Sequence, residues 1–172
     1  MRDMQDRIQQ LHEALNMFRA ISVVNKEDWE AAAKRLNLDS AVQLNILWIV
    51  YCYEGVRVTQ IADWTFWHPS SVVIHVKKMM EKDLLTIEKS DKDGRVVNVF
   101  LTAIGKKLIE DSRIQSLDDF HITKALENFR EKYGPNVMNL FLECLIYLAE
   151  ELHGAEKIRW IKEGEERARE IS

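Results

Sequence analysis

Residues 58–85 read VTQIADWTFWHPSSVVIHVKKMMEKDLL, and their spacing and punctuation decide the fold. The spacing predicts a short helix over about Val58–Thr65, a tight turn, and a second helix opening at His68. Pro69 then takes the first helical position, where a missing N–H leaves no bond unmade. Within the second helix Val72, His75, Val76, Met79 and Met80 recur at steps of three and four and form an inner face. Ser70, Ser71, Val73, Ile74, Lys77 and Lys78 are left facing outward. Small hydroxyls at a helix N-terminus can approach phosphates or base edges closely, Val73 and Ile74 suit thymine methyl groups, and lysines supply charge. The plainer reading is a solvated face with two routine lysines. Two β-branched residues turned outward weigh against it.

Downstream of Leu84 the spacing becomes extended. LLTIEK (84–89) and VVNVFLT (96–102) flank the turn-forming SDKDGR (90–95), the pattern of a β-hairpin. A hairpin directly after a helix pair is a wing. It brings Lys89, Lys92 and Arg95 together, and an arginine at a wing tip can enter the narrow minor groove. Arg95 can also pair with Asp91 or Asp93 to stiffen the turn, and the two roles are compatible. Thr102 is placed to cap a helix over about Ala103–Ser112.

Upstream, Ile8, Leu11, Leu15 and Phe18 mark the apolar face of a long amphipathic helix over about Asp3–Lys34. Ser40 and Gln43 form a capping-box pattern before the apolar run LNILWIVYCY, which ends at Gly55. The C-terminal third is helical in composition, with breaks at Tyr133-Gly134-Pro135 and His153-Gly154. Between them Val137, Leu140, Phe141, Cys144, Leu145, Leu148 and Leu152 make an apolar stripe. The expected fold is mainly α with a small β-hairpin wing: a winged helix-turn-helix at 36–112, flanked by helical regions at 1–35 and 113–172. Those flanks carry more apolar surface than one winged unit can cover, which predicts dimerisation through them.

The net charge of −4 over 172 residues hides an uneven distribution. From Gly55 to Lys107 nine basic residues, Arg57 among them, face six acidic ones, so the middle carries +3 and the remainder −7. A basic centre between acidic ends suggests a local anion-binding face. The first residues, MRDMQDRIQQ, are charged without an apolar signal region, and no run has the length of a membrane span. A cytoplasmic protein is expected, without a membrane partner. Cys52 and Cys144 stand 92 positions apart without CxxC spacing, fitting a reducing compartment, and both read as buried small apolar residues. Trp64, Phe66 and Trp67 are expected to pack beneath the turn rather than stack on bases.

The elements LNILWIVY, VTQIADWTFWHPSSVVIHVKKMMEKDLL, DKDGR and LTAIGKKL, in this order and spacing, make the chain resemble the MarR family of bacterial regulators. Within it the chain looks closest to the Bacillus protease-production regulator branch, Hpr or ScoC, through ILWIVY, the histidine before the second helix, and REKYGPNVMNLF. The resemblance implies a homodimer with interlocked terminal helices, recognition helices in successive major grooves of duplex DNA, and wings over the flanking minor grooves. It further implies a sequence-specific regulator, a repressor on pseudo-palindromic operators, with a small aromatic acid as the kind of ligand many members bind. DNA contacts are then expected from Arg57, Ser70, Ser71, Val73, Ile74, Lys77, Lys78, Lys89, Lys92 and Arg95. Three positions depart from the family pattern: Arg57 where Ser or Thr usually caps, Phe66 where glycine is frequent, and Ile74 where many members are basic.

No cofactor or metal is expected, because the five histidines lack close ligand spacing and the glycines form no phosphate-cradling motif. An enzyme is not expected either. The rival from another class is a winged module that binds protein and not DNA.

Overall fold

The computed structural model describes residues 2–89 and 96–171, with side chains other than those of residues 2, 3, 113–119 and 165. In order, the elements are α1 (Arg2–Arg35), α2 (Ala41–Cys52), β1 (Val56–Arg57), α3 (Val58–Thr65), α4 (Pro69–Glu81), β2 (Leu85–Lys89), β3 (Val97–Leu101), α5 (Ala103–Asp119), α6 (His121–Tyr133), α7 (Pro135–His153) and α8 (Ala155–Glu170). The chain is mainly helical with one small antiparallel sheet, as its sequence predicts.

The core forms around α2. A helix that is apolar on all sides satisfies itself only in the interior, and Ile46, Leu47, Ile49 and Val50 are fully buried. Ile61 of α3, Val72 and Met79 of α4, Val99 of β3 and Ile109 of α5 close around it. The strands run β1-β3-β2, with Val56 opposite Val99 and Leu85 opposite Leu101. β1 is too short to show a period, and the sequence gives no sign of it.

One predicted cap is replaced. Ser40 takes the N-cap place of α2 with extended backbone, but its hydroxyl makes no cap bond and has no hydrogen-bond partner among the described residues. Gln43, fully buried, reaches past it: its Oε1 accepts from the Asp39 N–H at 2.9 Å and its Nε2 donates to Asp39 Oδ2 at 3.2 Å. Glu30 of α1 accepts from the Ala41 N–H at 3.1 Å instead. Thr102 does cap α5, accepting from the Gly105 N–H at 3.0 Å while donating to the Asp83 carbonyl at 2.6 Å.

The two cysteines also divide. Cys52 is buried in α2, whereas Cys144 is exposed, because much of its stripe on α7 is left uncovered by this chain.

The hinge between α5 and α6 lacks glycine or proline and is held from a distance. Asp28 of α1, buried, accepts from the Ile122 N–H at 3.0 Å, and His121 Nδ1 lies 2.7 Å from its other oxygen. The carboxylate thus caps α6 from another helix. Burial pushes the Asp28 carboxyl up, but the bonds from Ile122 and His121 outweigh it and hold the pKa below the ordinary value of 3.8. Because the folded value lies below the unfolded one, the cap contributes fully near neutrality and is lost as pH falls through the folded value. Asp28→Asn should lower the urea midpoint near neutral pH and shrink its decline between neutrality and the region below pH 3.8. Parallel parent and variant curves over that whole range would contradict this role.

Candidate nucleic-acid interface

The turn between α3 and α4 is built from local bonds. Gln60 Oε1 accepts from the Arg57 N–H at 3.2 Å at the start of α3, and Arg57, its N-cap, is exposed. At the start of α4 the Ser70 N–H donates to His68 Nδ1 at 3.3 Å, with Ser70 Oγ 2.7 Å from the same nitrogen. Nδ1 is therefore the acceptor, and the ring proton sits on Nε2. His68 is exposed at the head of α4. Beyond opening α4, a histidine directly before a proline-initiated helix can cap it and leave a ring N–H at the surface.

α4 has the two faces its spacing predicts. Val72, Val76 and Met79 are buried, and His75 and Met80 are half-buried. Ser70, Ser71, Val73, Ile74, Lys77 and Lys78 are all exposed, Ile74 by 54%. An aliphatic side chain this open, on a helix whose other face is sealed, has no packing role within the chain. His75 is held neutral: burial first, then the nearby Lys78 charge, lower its pKa.

Lys78 stands apart from its neighbours. Its ammonium lies 3.7 Å from Asp39, which also receives Lys82 at 2.6 Å, so it helps clamp α4 to the loop before α2. Lys82 first, and Lys78 to a smaller degree, keep the Asp39 carboxyl below its ordinary range. Lys89 closes β2 opposite Val97 and is exposed. Lys92 and Arg95 lie outside the described residues.

Of the three aromatics expected beneath the turn, Trp64 and Trp67 are half-buried against the core. Phe66 is not beneath it: its ring is 50% exposed and tilted against His153, because the C-terminal helices return to this surface. Trp160 of α8 stacks on Trp64, with ring centroids 5.8 Å apart, and its carbonyl accepts from Tyr53 Oη at 2.8 Å. Burial first, then Glu163, push the Tyr53 hydroxyl up to about 12, so it remains a donor at neutral pH.

Among the described residues no helix is long and apolar enough to cross a membrane, and no His, Cys, Asp or Glu cluster could hold a metal.

The model of the MarR family matches residues 40–97, from the N-cap of α2 to the first residue of β3. The HTH-type transcriptional regulator Hpr of Halalkalibacterium halodurans is 32% identical over 159 residues, 80% of this chain and 80% of that protein. The Hpr of Geobacillus thermodenitrificans is 33% identical over 126 residues, covering 70% of this chain and 60% of the relative. In fold, S. aureus MepR, solved as a complex with DNA, aligns with a TM-score of 0.65 at 17% identity, over 79% of this chain and 96% of that one. A MarR regulator from Methanosarcina mazei aligns at 0.64 and 17%, over 78% and 94%. Curated relatives along most of the chain and neighbours in fold agree with the architecture seen here: the protein belongs to the MarR family of transcription regulators, DNA-binding proteins that are not enzymes.

Proposed function

We propose that this protein is a cytoplasmic, homodimeric repressor that reads pseudo-palindromic operators in duplex DNA. The observation that carries the reading is the open face of α4, where two hydroxyls, two β-branched residues and two lysines sit together above a sealed core. Arg57 and Lys89, both exposed, and Lys92 and Arg95 of the sequence are the further basic contacts that the family resemblance favours. His68 joins it as a donor. Residues 36–112 form the reading head, and residues 1–35 and 113–172 supply the dimer contacts. A small aromatic acid is the effector class that the family resemblance favours.

The dimer reading is supported by apolar faces that find no cover within the chain. On α1, Ile8, Leu11, Leu15 and Phe18 are exposed, and on α7 so are Leu140, Leu145, Leu148 and Leu152. Soluble chains rarely leave stripes of this size open to water. Two-fold pairing of equal subunits is the commonest way to cover them.

The test compares a duplex selected from genomic fragments with a random duplex, at several salt concentrations. Ser71→Ala or Val73→Ala should cost about 1–3 kcal/mol on the selected duplex and little on the random one, since base-edge and methyl contacts carry sequence information. Lys77→Ala should weaken both and reduce the log–log salt slope by about 0.9. Variants that bind both duplexes like the parent would move the interface elsewhere. A parent that binds no duplex at low salt would leave the protein-binding module as the better reading.

A further inference from the structure

The turn of the helix-turn-helix carries a side chain that its backbone does not favour. Phe66 lies in the left-handed region at φ 58°, ψ 22°, where glycine is the residue without steric penalty. Its ring is half exposed, so core burial does not account for it either. A residue kept in such a conformation points to a task for its side chain.

The ring's contacts supply that task. Its centroid lies 4.1 Å from that of His153, and the Lys157 ammonium lies 5.7 Å from it. Lys157 also pairs with Asp63 of α3 at 3.1 Å. His153 ends α7 and Lys157 belongs to the first turn of α8, so both stand at the elbow around Gly154. That elbow is braced from behind by the stacking of Trp160 on Trp64 and the bond from Tyr53. A Cβ on Gly164 would come within 3.4 Å of the Tyr53 ring, which shows how closely α8 is seated. α7, with its uncovered apolar face, and the turn that aims α4 are therefore joined through one aromatic ring.

We propose that Phe66 is a positioning residue: its ring keys the turn to His153 and Lys157, fixes the angle of α4 to α7, and so sets the half-site spacing that a dimer accepts. The proposal rests on the dimeric, DNA-reading function above. Glycine at this position relaxes the backbone while deleting the ring, so Phe66→Gly separates positioning from turn stability.

Bound duplexes are selected from a random-sequence pool with the full chain, and the spacing of the recovered half-sites is read. The parent should recover one dominant spacing. Phe66→Gly and His153→Ala should recover the same half-site sequence spread over several spacings, and should bind the parent's best duplex about tenfold more weakly, a loss typical of uncoupling distant elements. Phe66→Trp, which keeps a ring, should behave like the parent. Thermal midpoints of all three should stay near the parent's. If Phe66→Gly fails to fold, His153→Ala, outside the helix-turn-helix, decides the matter. Variants that keep the parent's single spacing and affinity overturn the positioning role while leaving the DNA-reading function intact. A parent that recovers no duplex, or only isolated half-sites, overturns the dimeric reading and the proposal with it.

Discussion

A glutamate at Leu148 is expected to convert the protein into a species that sediments as a monomer at micromolar concentration and binds its operator at least about a hundredfold more weakly. Leu148 is 42% exposed on α7, in line with Leu145 and Leu152. In a dimer the same position would be sealed against apolar partners, and an unpaired charge buried at such a seam is strongly unfavourable. The loss of DNA binding follows from linkage of two reading heads, since a second contact made by a tethered partner raises overall affinity by about 10²–10⁴. Leu15→Glu on α1 should act in the same direction, Leu15 being 67% exposed. Sedimentation and operator titration check both. Variants that stay dimeric and bind like the parent would place the interface on other surfaces, and variants that unfold would show that the folded subunit does not exist alone.

Gly105→Ala should destabilise the protein by about 3 kcal/mol or more, at or beyond the upper end of what overpacking usually costs. A Cβ at this position would lie 2.1 Å from the Leu84 carbonyl oxygen and 3.2 Å from Leu101 Cδ2. The first of these is backbone and cannot rotate aside. That carbonyl also accepts from the Thr102 N–H at 3.1 Å, so retreat would break the bond that ties the residue before β2 to the residue after β3. α5 would have to lift, and Ile109, 1% exposed, would lift with it. For a chain of this size the thermal midpoint should fall by about 2–4 °C per kcal/mol. A Gly105→Ala protein that melts with the parent would show that the wing root can yield.

Much of the architecture was legible in sequence because it is written in short-range spacing. The inner face of α4 follows from Val72, Val76 and Met79, since a helix with one sealed side leaves its other residues no choice. The hairpin followed from two alternating runs around a turn, and Pro69 marked the start of α4 to the residue. What escaped notice depends on residues far apart. Asp28 caps α6 across 94 positions, Phe66 meets His153, and Tyr53 meets Trp160 across 107 positions. No local pattern encodes such pairs. Ser40 misled because its cap competes with a buried glutamine that bonds one residue earlier. Cys144 misled because an apolar stripe says that a face seeks cover, not that its own chain provides it. The α4 positions assigned to DNA contact were legible as an outward set, and which bases they prefer is not encoded in their spacing.

The bond between Tyr53 and Trp160 also orders events during synthesis. Chains emerge from the ribosome N-terminus first, at about 5–20 residues per second. Most of the core residues lie at or before Ile109, whereas Trp160 follows some fifty residues later, about 3–10 seconds on that scale. Throughout that interval Trp64 lacks the ring that later stacks on it, and the Tyr53 hydroxyl lacks its carbonyl acceptor. A nascent chain whose winged core closes before α8 emerges would carry its most aromatic flank bare. That flank is where a chaperone, or a neighbouring nascent chain, would first take hold.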